Sequence, residues 1–252
     1  MPLWLVLLLS IAAFLGANAL GRALAARPRF RSVENVSTIH DAIVGLLSLI
    51  TAFTFAMSLE RYDARRQAVI DEANAIGTAA LRARLLPSPH DGTSLKLLHD
   101  YTMARVVISG SIPTARELAA AIERSNGIQE KLWLEAKAVA ARDNGFVPTG
   151  LYIQALNQMI DVQLARVANF RNRVPGIVMV TLYGIAFVVA GFSGYAIGLQ
   201  SRRARVPAGT LSVLIAILLV LILDIDRPGE GYVRVSQQPM TDTASSIAAY
   251  KD

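Results

Sequence analysis

Charge is missing from four long stretches of this chain, and that absence limits its fold more than any other feature. The stretches are residues 1–21, 42–59, 174–201 and 206–223. A hydrocarbon core of about 30 Å is crossed by about 20 helical residues, so all four are long enough to span a bilayer, the second and fourth only just. Lipid offers backbone groups no hydrogen bonds, so a span is either a helix or a strand of a closed barrel. Barrel strands alternate apolar and polar residues, whereas residues 214–223 are apolar throughout. The pattern predicts four membrane helices.

Composition agrees. The chain is 53% hydrophobic and 17% charged, against about 25% charged in a soluble domain. It has no cysteine, which excludes a disulfide scaffold, thiol catalysis and thiolate metal sites. The histidines are His40, His90 and His99, and no metal-ligand spacing, phosphate loop or redox motif is present. The net charge of +6 comes mostly from arginine at the edges of the apolar stretches. That placement reads as contact with lipid headgroups rather than with nucleic acid. Ala17-Asn18-Ala19 resembles a signal-peptidase site, but no Lys or Arg precedes the apolar run, so the first stretch is read as a retained span.

Residues 60–173 are mixed in polarity and helical in pattern. The spacing predicts that the second span continues to residue 86, where Pro87-Ser88-Pro89-His90-Asp91-Gly92 stops it. Further helices are expected over 93–108, 113–125, 128–142 and 148–173, with stops at Asn126-Gly127 and Asp143-Asn144-Gly145. The last is expected to run into the third span. The predicted organisation is a first transmembrane hairpin in 1–59 (spans ~2–20 and ~40–59) and a helical extramembrane domain in 60–173. A second hairpin follows in 174–225 (spans ~175–199 and ~206–224), then a tail in 226–252. Four spans put both termini and the central domain on one side.

Residues 53–66 read Phe-Thr-Phe-Ala-Met-Ser-Leu-Glu-Arg-Tyr-Asp-Ala-Arg-Arg. Structurally this is an interface collar, with aromatics at headgroup depth and arginines reaching phosphate. Asp63 and Arg66 are spaced for a pair at i,i+3. The stretch also resembles the bestrophin signature Phe-Arg-x-Asn-x-x-Tyr-Asp-Arg-Phe-Trp-Glu-x-Arg, with Phe53, Glu60, Arg61, Tyr62 and Arg66 at matching places. Thr54, Leu59 and Asp63 depart from it. The segment Glu72-Ala73-Asn74-Ala75-Ile76-Gly77-Thr78-Ala79 follows. Arg173-Val174-Pro175 enters span three. Leu223-Asp224-Ile225-Asp226-Arg227-Pro228, Gly231, Arg234-Val235-Ser236-Gln237 and Pro239 lead out of span four. On these the chain is identified as a member of the bacterial bestrophin-like domain family, over most of residues 42–240.

The resemblance implies an all-α membrane protein, a homo-oligomer (a pentamer in bestrophins) and an ion pore lined by span two. It implies a bacterial inner-membrane location and no cofactor. By position the apolar neck is Gly45, Leu49 and Phe53, although Gly45 departs from the bulky neck pattern. The same face could equally be helix packing, because Gly45, Ser48 and Ala52 are small. Ser48, Thr51, Thr54 and Ser58 suit lipid poorly and suggest contacts between subunits. The motif charges Glu60, Arg61, Asp63 and Arg66, with Asp224 and Asp226 at the end of span four, are functional candidates or interface charges. Asp224, Asp226 and Glu230 are too sparse for calcium, which takes six or more oxygens. Asn157 and Asp161 share a helix face and are expected to pair inside the bundle near Arg166. Ser88, His90 and Asp91 are triad residue types, but triads form by spatial convergence and this loop reads as a turn. His40 and Asp41 precede span two, where Ser37 or Thr38 can cap the helix.

The arginine tally of the short loops favours a central domain outside the cytoplasm. The resemblance implies a cytosolic one and is preferred. The sequence thus predicts an oligomeric channel or small-ion transporter, with lipid, ions and copies of itself as partners. The alternatives are a membrane sensor or signalling receptor and an assembly protein without transport. No catalytic residues are expected.

Overall fold

The computed structural model describes residues 1–27, 36–110, 115–142, 147–199, 205–228 and 231–250. Arg29, Arg31, Pro113, Asp143-Asn144-Gly145, Arg202, Arg203 and Glu230 lie outside these. The described residues form eight helices: α1 Leu3–Ala25, α2 Val36–Ala83, α3 His90–Gly110, α4 Ala115–Arg142, α5 Val147–Arg171, α6 Gly176–Leu199, α7 Arg205–Asp226 and α8 Gln238–Ala248. No strand occurs among them. Four helices carry windows long and apolar enough to cross a membrane. Contacts divide the chain into two units, Met1–Arg61 with Arg173–Val233 and Tyr62–Asn172 with Arg234–Asp252.

Unit 1 holds α1, the first part of α2, α6 and α7. Its core includes Phe14, Leu47, Leu182, Val189, Leu219 and Ile222. Many large apolar residues nevertheless face outward, among them Trp4, Leu8, Ile177, Val180, Phe187 and Leu214. An apolar exterior of this kind suits hydrocarbon rather than water. Between α1 and α6 glycine sets the spacing. A Cβ on Gly194 would strike the Asn18 carbonyl, and one on Gly21 the Gly191 carbonyl. At Gly198 it would lie 2.6 Å from the Ala25 side chain. Ala17, Gly21 and Ala25 are four residues apart and form one ridge, so the backbones approach closely.

Unit 2 holds the rest of α2, with α3, α4, α5 and α8. Its apolar core is built on Ile76, Ala79, Leu98, Leu132, Leu156 and Met159, with Met240 and Ile247 added from α8. Alanine at positions 73, 79, 80 and 83 leaves α2 narrow on this side, which admits the larger residues of the facing helices. Thr243 Oγ1 donates to Ala73 O at 3.5 Å, and the Arg84 guanidinium lies 4.6 Å from the centre of the Tyr250 ring.

Three expectations are corrected. Helix α4 is continuous from Ala115 to Arg142 and does not stop at Asn126-Gly127. An interior glycine costs only about 1 kcal/mol, and Asn126 Oδ1 accepts from Gln163 Nε2 at 3.3 Å. The third span is not continuous with α5, because the helix lapses over 172–175. Pro175 lacks an N–H and disfavours helical conformation at Val174. Helix α2 is already formed at Val36, so Ser37 and Thr38 sit in its first turn and are not caps.

Gly194→Val should be the severe lesion of unit 1, because the branched side chain meets backbone rather than a movable side chain. Overpacking of this kind costs about 1–3 kcal/mol or more. A Cβ on Gly45 meets nothing within 4 Å, so Gly45→Ala should be neutral or stabilising by about 0.5–1 kcal/mol. Melting and size-exclusion profiles of the two variants in detergent test this. Equal behaviour would remove the close-approach account.

Candidate functional site

The membrane part of α2 presents two unlike sides. Leu46, Leu49, Ala52, Phe53, Ala56 and Leu59 are exposed, Phe53 by 67% and Leu49 by 54%. The small residues Gly45, Ser48 and Ala52 are exposed as well. On the other side Leu47, Thr51, Thr54 and Ser58 are buried, and Phe55 packs on the core. The polar residues expected to mark subunit contacts are therefore mostly internal, and Thr54 Oγ1 donates to Ile50 O at 2.8 Å. Only Ser48 is exposed, and its hydroxyl donates to Val44 O at 2.9 Å.

Beyond Leu59 the collar divides. Glu60, Asp63 and Arg66 are exposed, and Arg65 is buried. The ion pairs found among the described residues lie elsewhere, so the Asp63–Arg66 pairing expected from spacing is not among them. Arg61 Nη1 donates to Arg173 O at 2.8 Å and so holds the carbonyl beside the break between α5 and α6.

Asp224 and Asp226 are both buried, and both bind backbone. Asp226 Oδ1 accepts from Val174 N–H at 2.8 Å, which fixes the chain just ahead of Pro175 and the start of α6. Asp224 Oδ1 accepts from Tyr232 N–H at 2.8 Å. Gly231 passes so close to that carboxylate that a Cβ there would collide with it. The span-four carboxylates thus secure two turns, a structural task that their position alone does not reveal.

A centre that spacing and motif reading did not single out lies in unit 2. Glu72 is fully buried. Arg105 Nε donates to its Oε1 at 2.7 Å and Arg105 Nη2 to its Oε2 at 3.2 Å. Arg166 Nη1 donates to Oε2, and Tyr101 Oη donates to Oε1 at 3.0 Å. Gln129 Nε2 donates to Gln163 Oε1 at 2.8 Å beside Tyr101, and Arg166 Nη2 donates to Gln237 Oε1 at 2.8 Å. The network draws on α2, α3, α4, α5 and the residue before α8. Burial by itself pushes the Glu72 carboxyl up, but the adjacent Arg105 and Arg166 outweigh it and hold the group below the ordinary carboxylate range. Burial, with the Glu72 charge beside it, pushes the Tyr101 phenol up, so it stays a donor. A signal was present in the sequence: Ala68, Glu72, Ile76, Ala79 and Ala83 recur at helical spacing, and a carboxylate on such a face needs a cation.

Asn157 and Asp161 are exposed rather than paired in the bundle, and only Arg166 turns inward. Ser88 is exposed, and His90 Nδ1 is paired with Glu135 Oε2 at 2.8 Å rather than with its loop neighbours. His40 Nδ1 lies 3.1 Å from Asp41 Oδ1 and its Nε2 lies 2.7 Å from Ser193 Oγ. The order acid–imidazole–hydroxyl suggests a triad. But Ser193 is buried within α6, where the backbone amides are committed to the helix and cannot form an oxyanion hole. It is a tether between α2 and α6. Among the described residues no three His, Cys, Asp or Glu side chains converge as metal ligands.

A family model described as the Bestrophin-like domain matches residues 8–240. Among solved structures, a bacterial bestrophin homologue from Klebsiella pneumoniae is similar with a TM-score of 0.69 at 15% identity, over 96% of this chain and 94% of that one. Two single-substitution variants of that homologue score 0.68 at 15% identity, over 96% and 97% of this chain and 95% and 93% of theirs. A search of the curated proteins gave no match.

Glu72→Gln should destabilise unit 2 by about 3–5 kcal/mol, because it strands two buried guanidiniums. The pH dependence has a definite sign. The folded carboxyl titrates below its ordinary value of 4.5, so its contribution is complete above that value and is lost as pH falls through the folded value. Melting curves between neutral and strongly acidic pH should show this loss in the native chain and not in the variant. A native-like melting temperature for Glu72→Gln at neutral pH would refute the assignment.

Proposed function

The chain belongs to the bestrophin-like domain family, and on that premise we propose that it is a homo-oligomeric ion channel or small-ion transporter of the bacterial inner membrane, with span two lining the path. The exposed apolar face of α2 carries this reading. Gly45, Leu49 and Phe53 recur every fourth residue on a membrane-spanning helix, and all three are exposed among the described residues. Phe53 and Leu49 are the bulky members. Copies of such a face arranged about an axis make a narrow apolar ring. A ring a few ångströms wide sheds water, because its walls replace none of an ion's hydrogen bonds, and it acts as a barrier. The packed side of the same helix, with Phe55, Thr51 and Thr54, holds it against its own chain. The pentameric number rests on the family resemblance. On this proposal the exposed collar charges Glu60, Asp63 and Arg66 have the task of acting on entering ions.

In reconstituted liposomes Phe53→Ala should raise ion flux, and Leu49→Ala should raise it less. Phe55→Ala should lower stability without raising flux. Native mass measurement should find a closed oligomer. A functional monomer, or a Phe53→Ala protein with reduced stability and unchanged flux, would overturn the pore.

The same reading places the domain between spans two and three in the cytosol. The chain has no native cysteine, and Ser88 is exposed, so Ser88→Cys is a clean probe. It should stay unlabelled by an impermeant thiol reagent in intact cells and label after permeabilisation. Labelling of intact cells would reverse the orientation.

A further inference from the structure

The apolar core of unit 2 lies between two polar layers. One is the Glu72 network. The other is formed by His90 and Ser94 of α3, Glu135 of α4, and Thr149 and Tyr152 of α5. Ser94 and Tyr152 are fully buried, Thr149 is 2% exposed and His90 9%. His90 and Ser94 are one turn apart on α3, and Thr149 and Tyr152 are three apart on α5, so each pair shares a helix face. Helices α3, α4 and α5 meet here: His90 Nδ1 of α3 lies 2.8 Å from Glu135 Oε2 of α4, and the side chains acting on the Tyr152 phenol of α5 are Ser94 and Glu135.

The two layers differ in one respect. In the Glu72 layer the polar groups bond one another. In this layer four solvent-inaccessible atoms, His90 Nε2, Ser94 Oγ, Thr149 Oγ1 and Tyr152 Oη, have no hydrogen-bond partner among the described residues. The Ser94 hydroxyl is close enough to act on the phenol as a hydrogen-bonding neighbour that opposes its upward shift, although the pair falls outside strict hydrogen-bond limits. Orphaned buried polar atoms are rare in folded proteins, and several at one place are ordinarily joined by internal water.

We propose that this layer is an internal hydration site, in which one or two ordered water molecules join His90 Nε2, Ser94, Thr149 and Tyr152. The donor set fits water. With Nδ1–H donating to Glu135 Oε2, the Nε2 of that tautomer is an acceptor. Each of the three hydroxyls can both donate and accept. Water does the same, with up to four bonds. The Glu135 carboxylate beside the layer opposes an anion. The tyrosine keeps its proton, since burial above all, aided by the Glu135 charge, pushes the phenol up to about 12.

The test is a density map of the whole protein at on the order of 2 Å resolution, joined to melting temperatures of Tyr152→Phe and Thr149→Val. Solvent density within hydrogen-bond reach of at least two of the four atoms supports the site. A fall in melting temperature of a few degrees for both variants supports it too, because each leaves a buried water short of a partner. Side chains in direct mutual contact with no solvent between them would overturn it, as would a metal ion detected by anomalous scattering. A rise in melting temperature for either variant would overturn it as well, because removing a truly orphaned hydroxyl relieves a desolvation penalty.

Discussion

One carboxylate holds unit 2 together. Glu72 is reached by arginines from two helices and by a tyrosine hydroxyl, and Arg166 extends the network to Gln237 just before α8. Buried ion pairs contribute little net stability against a well-packed apolar alternative. Their effect is on specificity. A charge at this depth tolerates few alternative arrangements, so helices that could slide over an alanine-rich face are fixed in one register. The apolar residues around it fill space and would accept small shifts, whereas the charges would not.

Unit 1 meets the same need without charge. Its helices are apolar nearly all round, and lipid gives them no hydrophobic reason to associate. Close backbone approach at Gly21, Gly191 and Gly194 replaces it. Where the chain must turn at the ends of these helices, backbone N–H groups fall to Asp224 and Asp226. Asp226 accepts from Val174 just ahead of α6 and Asp224 from Tyr232 just beyond α7, so specific bonds hold the chain at these two places.

Most of the architecture was legible in the sequence. Four charge-free stretches are dictated by the thickness of a bilayer, and the residues 53–66 and 72–79 carried the resemblance that the family match and the solved structures then showed. What could not be read were the places where a local preference meets a tertiary contact. Asn126-Gly127 reads as a stop, yet the helix continues through it. Residues 148–173 read as one helix with the span, yet Pro175 parts them. Asp224 and Asp226 read as functional or interface charges, and whether a carboxylate faces water or a backbone amide depends on the fold of residues distant in sequence. Glu72 stands in the motif at 72–79, but its charge partners, Arg105 and Arg166, lie 33 and 94 residues further along the chain.

Along the part of α2 that belongs to unit 2, Ala68, Glu72, Ile76, Ala79 and Ala83 recur at helical spacing, so one face carries both the carboxylate and the small residues that admit the facing helices. One residue added between Glu72 and Ile76 would turn the two parts of that face about 100° apart, whereas seven would bring them back within about 20° while separating them by two more turns. Arg105 and Arg166 would then keep the carboxylate only where the alanine face had lost its neighbours. Charge and shape on this face must therefore stay in phase, and an insertion is felt through direction around the helix before it is felt through length.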